Sequence, residues 1–393
     1  MFGAFRRLAP LVSTRSTQYS RVAITSAAAV AAAAFTGNSL QCESAFEASM
    51  ELVQIGNSWE WRQKPVVGDA TSTKASSADS KYTGPEPKVN AAPVKVLDTD
   101  AITISEFFGQ VSTLTGSASF ALATVRRAID PWEVAWQTPQ FAEYVIVNSG
   151  RLDLYTEHAN GCELTKTSVE AGQGVYLPAG LRVKWAWPEA CTYTVVCVPA
   201  FSVHTSGSES ADGRNAAVDD AARASLARMH LTKGMSATAP RYLPNTVVGK
   251  LPKGIPPLVV TPVPVVEAPG ITITEHFGNV SSSDPQASLG MAVVKGPSQE
   301  AWQAPQFDEY VVCTKGSIEF LYGDGRKKSI VAGQGIFLPM NLRVKWVWPE
   351  ATNYTVLCLP AFTPELCGRE AEENATNAKD SASMARLQQL HAK

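Results

Sequence analysis

Residues 135–150 read AWQTPQFAEYVIVNSG, and residues 301–316 read AWQAPQFDEYVVCTKG. The same near-identity recurs downstream, with GQGVYLPAGLRVKWAWP at 172–188 against GQGIFLPMNLRVKWVWP at 333–349, then YTVVCVPAF at 193–201 against YTVLCLPAF at 354–362. Upstream, ITISEFFG at 102–109 matches ITITEHFG at 271–278. The chain is therefore an internal duplication. Each copy is about 100 residues long, the size of one small domain. The first copy occupies 101–201 and the second 270–362.

Within each copy the local signals are those of strands. Glu143–Val147 and Glu309–Cys313 are β-branched runs that end in turn-like Asn-Ser-Gly and Thr-Lys-Gly. Arg151–Thr156 and Ser317–Tyr322 follow as return strands. Many short strands separated by Gly and Pro turns indicate an all-β sandwich or barrel. The 393 residues are 45% apolar and carry a formal charge of −2, which supports a folded core and gives no basic excess for nucleic acid.

Each copy resembles a cupin, and the chain as a whole a bicupin. Glu143 is followed by Gly150 and Glu309 by Gly316, as in the first cupin motif. Gly172, Pro178 and Gly180 match the second motif, as do Gly333 and Pro339, with Asn341 at the last glycine. The chain is also similar to histidine-poor cupins related to ethanolamine-utilisation proteins. The resemblance implies an all-β fold of two tandem cupin-type double-stranded β-helix (RmlC-like jelly-roll) barrels, with helical and disordered appendages.

In metal-binding cupins, two His and one Glu of the first motif and one His of the second hold a divalent metal. Here the His positions carry Gln137, Pro139 and Val183, and in the second copy Gln303, Pro305 and Val344. Three of the four expected ligands are absent from both copies, so no cofactor is expected; a weakly held divalent metal is the alternative.

Strand alternation places Val183, Trp185 and Trp187 on one face, with Val344, Trp346 and Trp348 equivalent, and turns Arg182, Lys184, Arg343 and Lys345 outward. The inward faces would form Trp-lined cavities. Glu143 and Glu309 are the candidate acid–base residues. Gln137, Trp185, Trp187, Tyr193, Gln303, Trp346, Trp348 and Tyr354 are the candidate ligand contacts. A filled aromatic core fits the same residues equally well. Cys197 and Cys358 read as buried core thiols, and His276 in place of Phe107 as packing variation.

Three functions remain open: a metal-free or weakly metal-binding bicupin that binds a small cationic or aromatic molecule; a lyase or isomerase using Glu143 or Glu309; and a structural protein of an organelle complex. Whether the chain is an enzyme is left open. The expected partners are a small molecule and the second barrel, as an intramolecular pseudo-dimer, with homo-oligomers a further option and nucleic acid excluded.

Outside the repeats, residues 1–40 hold four Arg and no Asp, Glu or Lys, the composition of a mitochondrial presequence; a bipartite plastid signal is the alternative. The Ala-rich run 22–35 is too short to span a bilayer, so no stable span is expected in the mature form. Residues 41–100 read as a flexible linker with a docking segment at 47–63. Residues 202–269 read as a helix followed by a Pro-rich linker along the second barrel, and 363–393 as a C-terminal helix. Each helix is expected to pack on the partner barrel.

Overall fold

A computed structural model describes residues 50–55, 58–63, 82–161, 163–209, 220–234, 236–240, 251–371 and 381–392. The expected targeting leader, 1–40, lies outside the described residues. Among the described residues, no helix is long and apolar enough to cross a membrane.

Each repeat closes as two antiparallel sheets packed face to face. In the first barrel the large sheet runs, in order, Leu258–Val260, Gly174–Leu177, Ala142–Ser149, Cys191–Val198, Ser119–Val125, Ile102–Phe108 and Val94–Asp98. The facing sheet is Val183–Ala186, Arg151–Glu157 and Leu164–Glu170. In the second barrel the order is Val263–Glu267, Ile271–Phe277, Ser288–Val294, Thr352–Leu359, Asp308–Lys315, Gly335–Leu338 and Lys88–Asn90. Its facing sheet is Ser298–Gln299, Val344–Trp348, Ser317–Tyr322 and Arg326–Val331.

Each large sheet ends on a strand borrowed from the segment that precedes the other barrel. Lys88–Asn90 precedes the first barrel but pairs with Gly335–Phe337 of the second. Leu258–Val260 precedes the second barrel but pairs with Gly174–Tyr176 of the first. Two expectations are corrected here. The Pro-rich linker meets both barrels, Leu258–Val260 joining the first before Val263–Glu267 forms an edge of the second. The 41–100 linker contains strands: Met50–Ile55 and Ser58–Gln63 pair with each other as a hairpin, Lys88–Asn90 joins the second barrel, and Val94–Asp98 forms an edge of the first. Both exchanged strands are only three residues long, too short for a pattern to mark them in sequence.

Between the barrels lies a third apolar core that includes Phe108, Phe120, Tyr144, Phe277, Leu289 and Tyr310. It explains the second glycine of each GQG. A Cβ on Gly174 would sit 2.6 Å from Phe277 Cζ, and one on Gly335 would sit 2.7 Å from Phe108 Cζ. Each barrel pushes one phenylalanine against the other's glycine, so only a residue without a side chain fits there. At the motif's last position, Gly180 and Asn341 both adopt left-handed backbone, with φ of 83° and 62°. Asn is among the residues that tolerate this conformation.

The helices Asp220–Met229 and Ser381–His391 cap the barrels. Leu226 joins the core of the first barrel and Leu387 that of the second. Each helix therefore packs on its own barrel, which corrects the expectation that it crosses to the partner. The apolar stripe was legible in the sequence; the barrel it meets was not.

Candidate functional site

The alternation reading matches the observed packing. Val183, Trp185 and Trp187 are buried in the first core, and Val344, Trp346 and Trp348 in the second. Arg182 and Arg343 face outward. Arg182 donates from Nε and Nη2 to the two oxygens of Glu209, and its guanidinium lies 4.1 Å over the Trp136 ring. Arg343 repeats the arrangement with Glu370 and Trp302, also at 4.1 Å. These bidentate, stacked cations are engaged with their own chain.

The first barrel is filled. Trp185, Trp187 and Tyr193 stack on one another with ring centroids 6.0–6.2 Å apart. Glu143 is buried beside them, and its Oε2 has no hydrogen-bond partner. Burial alone pushes its carboxyl up to about 8. The void near it measures about 20 Å³ and is lined by Glu106, Ser119, Cys197 and Leu226 among others. That is room for about one water molecule. None of the five candidates of this copy, Gln137, Glu143, Trp185, Trp187 and Tyr193, lines it. Among the described residues, the void of this copy is thus not lined by Trp.

The second barrel is hollow. Its cavity measures about 100 Å³, and Gln303, Glu309, Trp346 and Tyr354 all line it. Trp348 does not; it stacks behind Tyr354 with ring planes 14° apart. The difference between the copies comes from small substitutions. Leu97 and Ala121 line the first void, where the second cavity has Val266 and Gly290. The second copy thus lacks one methylene and one methyl group at its wall.

Polar substitutions accompany the space. Where the first copy has Val134, the second has Glu300, a buried carboxylate on the cavity wall. Its Oε2 lies 2.7 Å from Arg369 Nη1. Where the first copy has Ser206, the second has Cys367, whose thiol donates to Gln303 Oε1 at 3.1 Å. Composition and motif reading missed Glu300, Arg369 and Cys367. They stand out only when the copies are aligned and their differences read, rather than their matches.

Glu106 and Glu275 were also missed. Glu106 Oε1 accepts hydrogen bonds from the backbone of Val111 and Ser112 and from the Ser112 hydroxyl. Glu275 does the same for Val280 and Ser281. Both carboxylates fasten a tight turn, and both are raised by burial, Glu106 to about 7. The repeated Glu followed six residues later by Ser was the available signal.

The residues at the cupin ligand positions do not form a metal site. Val183 and Val344 are fully buried among apolar side chains, and Gln303 Oε1 already accepts the Cys367 thiol. Among the described residues, no three His, Cys, Asp or Glu side chains converge in a manner that could hold an ion. His230, just after the first capping helix, and His391, at the end of the second, stand over Phe201 and Phe362 at 5.2 and 5.5 Å.

No family model matches the sequence. A segment of 103 residues, 26% of this chain, is 34% identical to the endoribonuclease YbeY of Myxococcus xanthus, and the match spans 35% of that protein's length. Among solved structures, a tryptophan-to-tyrosine variant of Bacillus subtilis oxalate decarboxylase aligns with a TM-score of 0.50 at 13% identity, over 72% of this chain and 79% of that one. The same enzyme at pH 4.6 aligns with a TM-score of 0.50 at 14% identity, over 72% and 78%. With the repeat, the paired jelly-roll sheets and the exchanged strands, this likeness establishes that the chain has the cupin fold in its duplicated, bicupin form.

Proposed function

We propose that the second barrel binds one small polar molecule and that the first serves as its structural partner. The observation that carries this reading is the contrast in internal space, about 100 Å³ against about 20 Å³, between two otherwise matched interiors. An engineered apolar cavity of about 150 Å³ accepts benzene, so the space suits a molecule of a few heavy atoms.

Charge narrows the ligand. The cavity wall carries Glu275, Glu300 and Glu309 and no Lys, Arg or His. Trp346 also lines it, and its buried Nε1–H has no hydrogen-bond partner. Such a wall favours a neutral or cationic ligand with hydrogen-bond donors for the carboxylates and an acceptor for the indole N–H, held against aromatic faces. Oxalate, named for the structural neighbours, is a dianion and would meet like charge. Acid–base chemistry, if the barrel performs any, falls to Glu309, since Glu143 faces a filled interior.

The test is a thermal-shift and calorimetric screen of small alkylammonium ions, diols and carboxylates against the native chain and the double variant Val266→Leu, Gly290→Ala. Binding of an amine or diol to the native chain, at least tenfold weakened in the variant, is the expected result. A ligand that binds both equally, or a native chain that binds none, overturns the proposal.

A further inference from the structure

We propose that the C-terminal helix Ser381–His391 is a lid, and that its undocking is the route into the second cavity. The idea rests on the cavity reading above, but its test needs no ligand.

Much of the rest of the wall is held by sheets. Glu275, Gly290, Glu309, Trp346 and Tyr354 all stand on strands within hydrogen-bonded sheets. Opening the barrel through any of them would break a ladder of backbone bonds. Gln303, on a loop, is fixed by backbone bridges to Val344 and Arg369.

The helix is attached differently. It contributes one side chain, Leu387, to the cavity wall. Among its described residues only Ser383 and Leu387 are buried. The Ser383 hydroxyl donates to the Glu267 carbonyl at 3.0 Å, and Arg386 pairs with the Glu267 carboxylate at the surface. These two attachments converge on a single residue at the end of an edge strand. Among the described residues, no backbone hydrogen bond joins the helix to the barrel. Its last turn rests on the stack of His391 against Phe362, which itself lines the cavity, and neither ring nitrogen of His391 has a hydrogen-bond partner. Met384 and Leu390 add half-buried contacts to the same core. An element held by side chains alone, with no backbone ladder among the described residues, belongs to the low-stability end of the structure, where local opening precedes global unfolding.

Under this plug the cavity holds two thiols, Cys358 and Cys367. They report on the lid directly. Methyl methanethiosulfonate is small enough to enter an opened barrel. A thiolate attacks its sulfenyl sulfur, a mixed methyl disulfide forms and methanesulfinate departs, so each modified thiol gains a fixed mass. Cys313 is buried in the same barrel but does not line the cavity, and serves as the internal reference.

Peptide mass analysis should show Leu387→Ala labelling Cys358 and Cys367 at least tenfold faster than the native chain, with Cys313 changed by less than twofold. Unchanged cavity thiols, or a parallel rise at Cys313, overturn the proposal. A second measurement uses the native chain alone. Amides of residues 384–391 should exchange with solvent at least tenfold faster than those of Thr352–Leu359. A helix that exchanges only together with that strand also overturns it. If the thiols respond as expected but no small molecule binds, the lid stands and the ligand reading fails.

Discussion

Arg369 Nη1 lies 2.7 Å from Glu300 Oε2 at the wall of the second cavity, with Glu300 buried and Arg369 largely so. The first barrel has Val134 and Ser208 at these positions. The duplication thus contains its own control, one copy with the pair and one without.

Removing one partner of a buried ion pair typically costs about 3–5 kcal/mol, whereas replacing both by groups of fitting shape is often neutral. Arg369→Ala should therefore destabilise the chain by about 3 kcal/mol. Glu300→Val with Arg369→Ser, which installs the first copy's residues, should recover most of that loss. Urea melts of the single and double variants give the coupling energy. Simple additivity would show that the contact contributes nothing as a pair.

Glu143 offers a test by pH. Burial raises its carboxyl from the ordinary 4.5 to about 8. Below pH 4.5 the group is protonated in folded and unfolded chains alike and costs nothing. As pH rises towards 8 the unfolded chain ionises and the folded one resists, so stability is lost across that window. Glu143→Gln should remove the loss. Its advantage over the native chain should be small at pH 4.5 and grow to as much as about 5 kcal/mol near pH 8, at about 1.4 kcal/mol per pKa unit. Denaturant midpoints at the two pH values measure it. An advantage that does not change with pH would place the carboxylate in contact with water.

His276 should act in the opposite direction. It replaces Phe107 of the first copy, and burial lowers its imidazole from 6.5 to about 4. Above pH 6.5 the ring is neutral in both states. Between 6.5 and 4 the unfolded chain takes up a proton that the folded chain refuses, so stability falls as pH falls. The span corresponds to about 3 kcal/mol. His276→Phe, which restores the first copy's residue, should flatten stability in that range while leaving it little changed at pH 8. Thermal melts from pH 4 to 8 would show the difference, and parallel curves would count against a buried neutral ring.

The barrels were legible in the sequence because the signals are periodic and repeated. Glycine and proline marked the turns, and alternation separated Trp185 and Trp346 from Lys184 and Lys345 correctly. The cavity was not legible. It depends on one methylene at Val266 and one methyl at Gly290, differences that look conservative until the interior is assembled. Glu300 and Arg369 lie 69 residues apart, and no local pattern joins them. The strand exchange was hidden because Lys88–Asn90 and Leu258–Val260 take their register from the barrel that receives them.

The same two positions set the last expectation. Gly290 has ordinary backbone, and a Cβ there would meet the Thr274 carbonyl at 3.4 Å and Ile273 at 3.8 Å, both normal contacts. Val266 faces the same space. Gly290→Ala with Val266→Leu adds two carbons to an under-filled core, at about 0.8 kcal/mol each. Replacing glycine also restricts the unfolded chain, adding about 0.4–1 kcal/mol. The double variant should therefore be about 2 kcal/mol more stable than the native chain. The mirror variant, Leu97→Val with Ala121→Gly, should lose at least as much, because it leaves a void in a close-packed interior. Equilibrium unfolding of the two variants decides the matter. If filling the second barrel destabilises it, the cavity is smaller than its shape indicates, and the asymmetry between the barrels loses its functional meaning.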